Sequence, residues 1–455
     1  MAQDVSTMRM WQRRIFATVW ITYFTYYFCR YNMPVAKTSL CMAYEWNAAD
    51  IGAIFTALTV MYAIGQFVNG QLADRFGSRV ISTVGAAGSV SMNLLVFFLV
   101  MTATDGGLLM NHLLTLLVIF WGLNGFFQAM GWSPMVRIVA FWFPLKGRGR
   151  LMGLFGTCYQ FGAAFAQLLA IFLTGYFVQK LSGDWRMVFL VPAVLLAGVG
   201  VLFYLSIRNK PEDAGLPPAD EKPVSKAGPT TIPGTKPQSI LRNLSATLKN
   251  PNLWIVAWTF FLLDVNRYGF VNWLPAYVDV HSTVGAGLSA GFIQKAMKIC
   301  IHPLAGSIGV IVCGWATDRF FQGRRAPVIA LVLLCLSISS FLFVYVDVNN
   351  TLLLVLVVAL VGFFTYGAHI LMVGHAAIDF GHKEGSAGAA GFIDSMGYLG
   401  ASLAGWGAGK LIDMFNGTDP SDLQGYRVTF LLAGACTLAG AALISTLWRH
   451  RPQQA

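Results

Sequence analysis

The feature that most constrains this chain is a series of long apolar runs, each long enough to cross a lipid bilayer as a helix. A transmembrane helix needs about 20 mostly apolar residues to span a hydrocarbon core of roughly 30 Å. Twelve such runs begin near Ile15, Ile51, Val80, Leu113, Leu151, Met187, Leu253, Ser289, Pro327, Leu352, Ala387 and Val428. Only 11% of the 455 residues are charged, against about 25% in an ordinary soluble domain. The sequence therefore predicts an all-α membrane protein with twelve transmembrane helices.

A polar stretch divides the twelve runs into two groups of six. Residues 208–250 are rich in proline and lysine, cannot bury a core, and are predicted to form a solvated linker. The predicted organisation is an N-terminal six-helix half (1–207), a cytoplasmic linker (208–250) and a C-terminal six-helix half (251–455). By the positive-inside rule, both termini are also predicted to be cytoplasmic, because basic residues follow runs 2, 4, 6 and 8 but not runs 3 and 9.

The net charge of +11 lies mainly in these short loops, so it indicates membrane topology rather than a nucleic-acid partner. The seven cysteines are scattered through apolar runs without a CxxC pair. We therefore expect neither a disulfide framework nor a zinc site. No nucleotide-binding loop, metal cluster or paired catalytic residues stand out, so neither an enzyme nor a cofactor is predicted.

A short motif occurs after the second run and again after the eighth. The two copies are Gly70-x-x-x-Asp74-Arg75 and Gly314-x-x-x-Asp318-Arg319. Two copies at corresponding places indicate that the halves repeat each other, and such repeats place a substrate site near the bilayer midplane between them. The first copy resembles the loop signature of the major facilitator superfamily, in which the glycine permits close helix contact and the loop takes part in gating.

Two arginines lie deep inside the apolar runs. Arg30 is some fifteen residues into run 1 and Arg267 about fourteen into run 7, so each lies roughly 20 Å from the cytoplasmic end. A charge at this depth is costly and marks a functional site by default. Guanidinium groups bind phosphate or carboxylate through two parallel hydrogen bonds, and two of them suit a dianionic phosphate. Each arginine could instead be neutralised internally, for which Asp264 is placed one turn before Arg267.

Several segments resemble the organophosphate:phosphate antiporter family of the major facilitator superfamily, which includes bacterial glycerol-3-phosphate and hexose-phosphate transporters. They are Tyr26-Tyr27-Phe28-Cys29-Arg30-Tyr31-Asn32, Gly131-Trp132-Ser133-Pro134, Arg267-Tyr268-Gly269 with Asn272-Trp273-Leu274-Pro275, and the stretch from Gly362 to Gly400. The resemblance implies the major facilitator fold. It also implies that arginines bind phosphate while aromatic hydroxyls line the cavity, at positions matching Arg30, Arg267, Tyr23, Tyr27, Tyr366 and Tyr398.

The chain departs from this family at several polar positions. Gln66 stands where the bacterial glycerol-3-phosphate and hexose-phosphate members have a lysine, and Tyr159 falls near a histidine of the glycerol-3-phosphate members. Polar residues particular to this chain are Lys298, His369 and Asp394, which we include among the candidate substrate-binding residues. Asp394 needs either a cation, from Lys298 or Arg267, or a proton that it would carry; otherwise it is a bystander on a polar face. Lys410 and Asp413 are expected to pair with each other or with water.

The sequence thus predicts a secondary transporter that exchanges an organic phosphate, of the sugar phosphate or glycerol phosphate type, for inorganic phosphate by alternating access. Two facing arginines without phosphate would repel each other, which disfavours an empty return and favours exchange. We expect a functional monomer, embedded in lipid, in the bacterial inner membrane. Two alternatives remain open: a proton-coupled symporter of an organic anion, and a membrane sensor of sugar phosphate.

Overall fold

The computed structural model describes residues 2–103, 108–144, 148–219, 249–279, 288–321, 324–376, 386–416 and 422–449. Within these ranges the regular structure is entirely helical. Helical runs occur at all twelve places where the apolar pattern predicts them, and we number them α1 to α12. Of the predicted linker, residues 220–248 lie outside the described residues.

Helices α1 to α6 form what we call the N-terminal set. They comprise α1 (Ala2–Tyr26 and Phe28–Tyr44), α2 (Ala48–Phe76), α3 (Ser78–Thr102), α4 (Leu108–Gln128 and Trp132–Trp142), α5 (Arg148–Ile171, a π-helical turn Phe172–Tyr176, and Phe177–Leu181) and α6 (Met187–Ser206). A short 3-10 turn, Pro211–Ala214, follows α6.

Helices α7 to α12 form the C-terminal set. They comprise α7 (Pro251–Asp279), α8 (Leu288–Phe320), α9 (Arg325–Tyr345), α10 (Thr351–Ile370 and a π-helical turn Leu371–Ala376), α11 (Ser386–Ser402, a π-helical turn Leu403–Gly407, and Ala408–Asn416) and α12 (Gln424–Ser445). The names of the two sets are labels for position in the chain; the division into two independent halves stays a prediction.

Nine of the described helices are long and apolar enough to cross a membrane. Helices α1, α7 and α11 are not among the nine. These three carry Arg30, Arg267 and Asp394, whereas the other polar candidates, Gln66, Lys298 and His369, lie in helices that are among the nine. The count of twelve crossings therefore remains a prediction, while the all-helical architecture is observed.

Glycines let some helices approach until their backbones touch. A Cβ atom built on Gly309 of α8 would collide with the carbonyl oxygen of Phe363 in α10, and one built on Gly362 of α10 would collide with that of His302 in α8. Small residues at such contacts are typical of helix packing in membranes. Gly314, which the motif predicts to be a close-packing glycine, is different: a Cβ there would meet nothing within 4 Å. That expectation is wrong for the observed conformation.

The two sets meet at the end of the bundle that carries the α1–α2 connection, which we call the distal end. Here the π-helical turn of α11 breaks the regular hydrogen bond between the Ser402 carbonyl and the Trp406 N–H. The Thr56 hydroxyl of α2 bridges both groups, donating to Ser402 O at 2.7 Å and accepting from Trp406 N at 2.9 Å. An inserted side chain thus satisfies the backbone groups that the turn frees.

A carboxylate of the C-terminal set also caps a helix of the N-terminal set. Asp413 accepts hydrogen bonds from the backbone N–H groups of Ala48 at 2.8 Å and Ala49 at 2.7 Å, at the start of α2, where helical N–H groups lack partners. The expectation that Asp413 pairs with Lys410 or with water is therefore wrong. Lys410 lies instead with its Nζ 5.7 Å from the ring centroid of Trp406.

A buried lysine completes these distal contacts. Lys37, which is only 3% exposed, donates a hydrogen bond to the Tyr426 hydroxyl at 2.9 Å and lies 4.0 Å from the ring centroid of Trp273. Thr38 donates to Asp279 at 2.8 Å. We call the cross-set contacts of Lys37, Thr38, Thr56 and Asp413 the distal seal.

Candidate functional site

Arg30 lies in α1 just after the break at Tyr27 and is 6% exposed. Its Nη2 donates a hydrogen bond of 2.6 Å to the hydroxyl of Tyr268, which belongs to α7 in the C-terminal set. Its Cζ lies 4.4 Å from the ring centroid of Tyr62 in α2, within cation–π range. Within the described part of the chain, no carboxylate forms an ion pair with Arg30, and its close contacts are with aromatic rings and a hydroxyl group.

Arg267 lies in α7 and is 5% exposed. Its Nη1 is 3.5 Å from Oδ1 of Asp264, well beyond the 2.7–2.9 Å of a strong charge-assisted hydrogen bond. Neither Nε of Arg267 nor Oδ2 of Asp264 has a hydrogen-bond partner among the described residues. Internal neutralisation of Arg267 is therefore present but loose, and both groups keep unused hydrogen-bonding capacity.

The two arginines share Tyr268. The Cζ atoms of Arg30 and Arg267 lie 6.0 Å and 5.2 Å from its ring centroid. One cation from each helix set thus reaches the same side chain in the buried middle of the bundle. Two such groups can bind an oxyanion between them, because each guanidinium offers a planar fork of donors.

Four tyrosines predicted from the resemblance or its departures lie around this pair. The Arg30 Cζ is 5.8 Å from the ring centroids of both Tyr27 and Tyr398, and the Arg267 Cζ is 5.3 Å from that of Tyr366. The ring of Tyr159 lies 6.4 Å from that of Tyr366 and 6.3 Å from that of Tyr27. Since Tyr27 and Tyr159 come from the N-terminal set and Tyr366 and Tyr398 from the C-terminal set, the aromatic wall is built by both.

Two other predicted residues lie next to this wall. Tyr23 packs against Trp132, with ring centroids 5.0 Å apart. Gln66 donates to the Tyr62 hydroxyl at 3.2 Å and accepts from Ser133 at 3.3 Å. Gln66 therefore contacts the tyrosine on which Arg30 stacks, rather than Arg30 itself.

His369 and Lys298 have different surroundings. The ring of His369 lies 6.4 Å from that of Tyr366 and 5.2 Å from that of Phe260, and its Nδ1 has no partner among the described residues. Lys298 is buried, and its Nζ donates to the carbonyl oxygen of Val348 at 2.8 Å in the α9–α10 connection. The structure therefore places His369 beside the arginine pair and does not bring Lys298 to it.

Asp394 lies on α11, one turn before Tyr398. It interacts electrostatically with Asp264, Arg267 and Arg30, but no hydrogen bond or ion pair of its carboxylate is seen within the described residues. Gly397, three residues further on, packs against Asp264, because a Cβ atom there would lie 2.7 Å from Oδ2. Asp264 of α7 thus lies against α11, the helix that carries Asp394.

The repeated loop motif is only partly visible. Arg75 and Arg319 are exposed in the last turns of α2 and α8. The surroundings of Gly70 and the side chains of Asp74 and Asp318 lie outside the described residues. The gating role of the motif therefore stays a prediction.

A small cavity opens beside Arg30. Its walls are Arg30, Tyr31, Pro34, Phe55, Leu58, Thr59, Trp121, Tyr268, Val271 and Asn272. Sequence analysis did not single out Tyr62 or Lys37, and it named Tyr268 only as part of a segment that resembles the family, without a role. Among the described residues no cluster of histidine, cysteine or carboxylate side chains could hold a metal ion.

The sequence matches the family model described as "Major Facilitator Superfamily" over residues 19–405. Similar solved structures include a bacterial homologue of the human lysosomal transporter Spinster in an inward-facing and unoccupied conformation. It superposes with a TM-score of 0.73 at 13% identity, covering 96% of this chain and 97% of that one. The chain therefore belongs to the major facilitator superfamily, whose members are transporters.

Similar curated proteins indicate which family within the superfamily the chain belongs to. A "Probable hexose phosphate transport protein" of Chlamydia pneumoniae is 28% identical, over 97% of this chain and 92% of that protein. The "Glycerol-3-phosphate transporter" of Bacillus subtilis is 28% identical, over 89% and 86%. The "Membrane sensor protein UhpC" of Salmonella typhimurium is 27% identical, over 90% and 87%. Within the superfamily this is a member of the organophosphate:phosphate antiporter family, a multi-pass protein of the inner membrane.

Proposed function

We propose that this protein exchanges a small organic phosphate for inorganic phosphate by alternating access. The observation that carries the proposal is the pair of buried arginines, one from each helix set, that meet at Tyr268. A phosphate dianion offers enough oxygens to accept from both guanidinium forks. The relatives named for hexose phosphate and glycerol 3-phosphate transport support the same substrate class.

The two arginines differ in a way that fits exchange. Arg30 has only aromatic and hydroxyl partners, whereas Arg267 keeps a loose contact with Asp264. A phosphate bound between them supplies the negative charge that Arg30 lacks and draws the two helix sets together. Without it, closing the sets would bring two cations together in a medium of low dielectric constant, where like charges repel strongly. The protein is then expected to cross between its two conformations mainly when loaded.

The distal seal supports alternating access. Its hydrogen bonds connect α1 and α2 with α7, α11 and α12. By the positive-inside rule the distal end faces the outside, so the observed conformation is closed to the outside. Transport then requires these contacts to break while the helix sets rock about the arginine site. Because one chain supplies both arginines, a monomer is sufficient.

Exchange in proteoliposomes tests the proposal against its two alternatives. An antiporter takes up labelled phosphate only when the vesicles contain phosphate or an organic phosphate. A proton-coupled symporter accumulates substrate into empty vesicles under a pH gradient, using Asp394 or a histidine such as His369 as its proton site. A sensor, favoured by the similarity to UhpC, binds sugar phosphate without catalysing either flux. Uptake that is independent of internal phosphate would refute exchange.

A further inference from the structure

The site contains carboxylates as well as arginines. Two arginines, Arg30 and Arg267, lie beside two carboxylates, Asp264 and Asp394, and electrostatic interactions connect both carboxylates with both arginines. Asp264 is fully buried and forms an ion pair with Arg267. A simple phosphate monoester needs positive charge and no acceptor, so the arginine pair accounts for Asp264 but leaves Asp394 unexplained.

The position of Asp394 relates it to the phosphate-binding pair. Tyr398, one turn further along α11, lies 5.8 Å from the Arg30 Cζ. One turn corresponds to about 6 Å along the helix axis, so Asp394 lies a short distance from the arginines on the side away from the distal seal. Asp394 as a residue is partly exposed, and within the described residues no lysine or arginine forms an ion pair with it.

Among the described residues, the two buried lysines have partners away from this carboxylate. Lys298 is bonded to Val348, and Lys37 is held by Tyr426 and Trp273 at the distal seal. Asp264 contributes a second unsatisfied acceptor, since its buried Oδ2 has no partner among the described residues and lies against Gly397 of the same helix as Asp394. The site thus combines one unused donor, Nε of Arg267, with an unused acceptor on Asp264 and a carboxylate, Asp394, that has no ion-pair partner among the described residues.

We propose, building on the exchange function above, that the preferred organic substrate is a phosphorylated primary amine, whose phosphate binds Arg30 and Arg267 and whose ammonium group binds Asp394. An ammonium group has three donors and no acceptor, which matches an unpaired carboxylate. A substrate without the amine would leave its own negative charge facing that carboxylate. Selectivity then comes from the attraction of the amine and from repulsion of amine-free phosphates.

Phosphoethanolamine and ethyl phosphate form a matched pair of probes, because they share the phosphate and the two-carbon unit and differ in the amine. In proteoliposomes loaded with labelled phosphate, each is titrated as an external counter-substrate. We expect half-maximal exchange at about tenfold lower concentration for phosphoethanolamine, the advantage typical of one hydrogen-bonded charge pair. Equal or better exchange with ethyl phosphate would overturn the inference while leaving phosphate exchange intact. If neither probe nor phosphate exchanges, the proposed function itself fails.

The variant Asp394→Asn separates recognition from structure. Removing the charge should weaken phosphoethanolamine about tenfold and at the same time strengthen ethyl phosphate, because the repulsion is removed. A structural role would weaken both probes together, and unchanged values for both would refute the assignment of Asp394. Asp184→Asn, at a partly exposed carboxylate of the α5–α6 connection paired with Arg186, is the matched control and should change neither. Phosphate-dependent thermal stabilisation of each purified variant verifies that the site is folded.

Discussion

Replacing Arg30 with lysine tests the two-arginine site most directly, because it keeps the buried positive charge and removes the planar fork. In the structure one arm of this fork, Nη2, already donates to the Tyr268 hydroxyl at 2.6 Å. A lysine ammonium can donate one such bond. Its three donors share a single nitrogen, so it cannot present two parallel bonds to one phosphate. The variant should therefore fold normally and bind phosphate weakly.

The magnitude follows from the one charge-assisted hydrogen bond that is lost. Such bonds contribute about 1.5–3 kcal/mol, which corresponds to roughly 10- to 150-fold weaker binding. Tyr62 remains as an aromatic partner for the lysine ammonium, and unfolding without phosphate measures any change in folding separately. At a phosphate concentration that is 100 times the parent dissociation constant, binding stabilises the parent by about 2.7 kcal/mol. A tenfold weaker variant would gain only about 1.4 kcal/mol under the same conditions.

The assay combines phosphate exchange in proteoliposomes with thermal unfolding of purified protein at several phosphate concentrations. Arg186→Lys is the matched control, because Arg186 is partly exposed and pairs with Asp184 outside the site; it should change neither measurement. If Arg30→Lys retained the parent dissociation constant for phosphate within a factor of two, the bidentate role of Arg30 would be refuted.

Three further changes have defined outcomes. Arg267→Lys should likewise reduce phosphate exchange at least tenfold while phosphate-free unfolding stays near that of the parent; parent-like uptake in vesicles would contradict this. Lys37→Gln removes a buried cation–π contact of about 2 kcal/mol from the sealed conformation. In a variant whose other cysteines have been replaced, labelling of Cys41 by an impermeant maleimide should therefore accelerate severalfold. Gly362→Ala should lower unfolding stability by about 1–3 kcal/mol, since its methyl group would overlap the α8 backbone, whereas Gly198→Ala, which has open space around it, should not.

The depth of the two arginines could be read from the sequence because helix rise converts residue number into distance. Their shared partner could not. Tyr268 directly follows Arg267, and neighbouring residues on a helix point in different directions, so nothing in the run indicates that its hydroxyl reaches α1. Tyr62 could have been predicted from the sequence. It lies four residues before Gln66, and therefore on the same helix face as a position that the family resemblance identifies.

For Lys298, the prediction from sequence differs from its position in the structure. Its place within an apolar run suggests a site residue, but depth alone does not determine which neighbour a side chain faces. The α9–α10 connection offers a carbonyl group at Val348, and that contact depends on tertiary packing. The contacts of the distal seal could not be predicted from the sequence either, because they belong to one of the two conformations proposed for this protein. Lys37 alone left a pattern, seven residues and two turns after Arg30, on the same face of α1.

Helices α1, α7 and α11 are less apolar than the other nine, and the residues they carry give the reason. A helix that faces lipid on most sides must be apolar, whereas a helix that lines a polar cavity can carry charge only on its inward face. Helices α1, α7 and α11 contribute Arg30, Arg267 and Asp394, and each also places a tyrosine (Tyr27, Tyr268 and Tyr398) near Arg30. Under the proposed function, their low apolarity would follow from lining the substrate site. For a chain of this kind, the runs that match a transmembrane helix least well are the ones in which to search for substrate-binding residues.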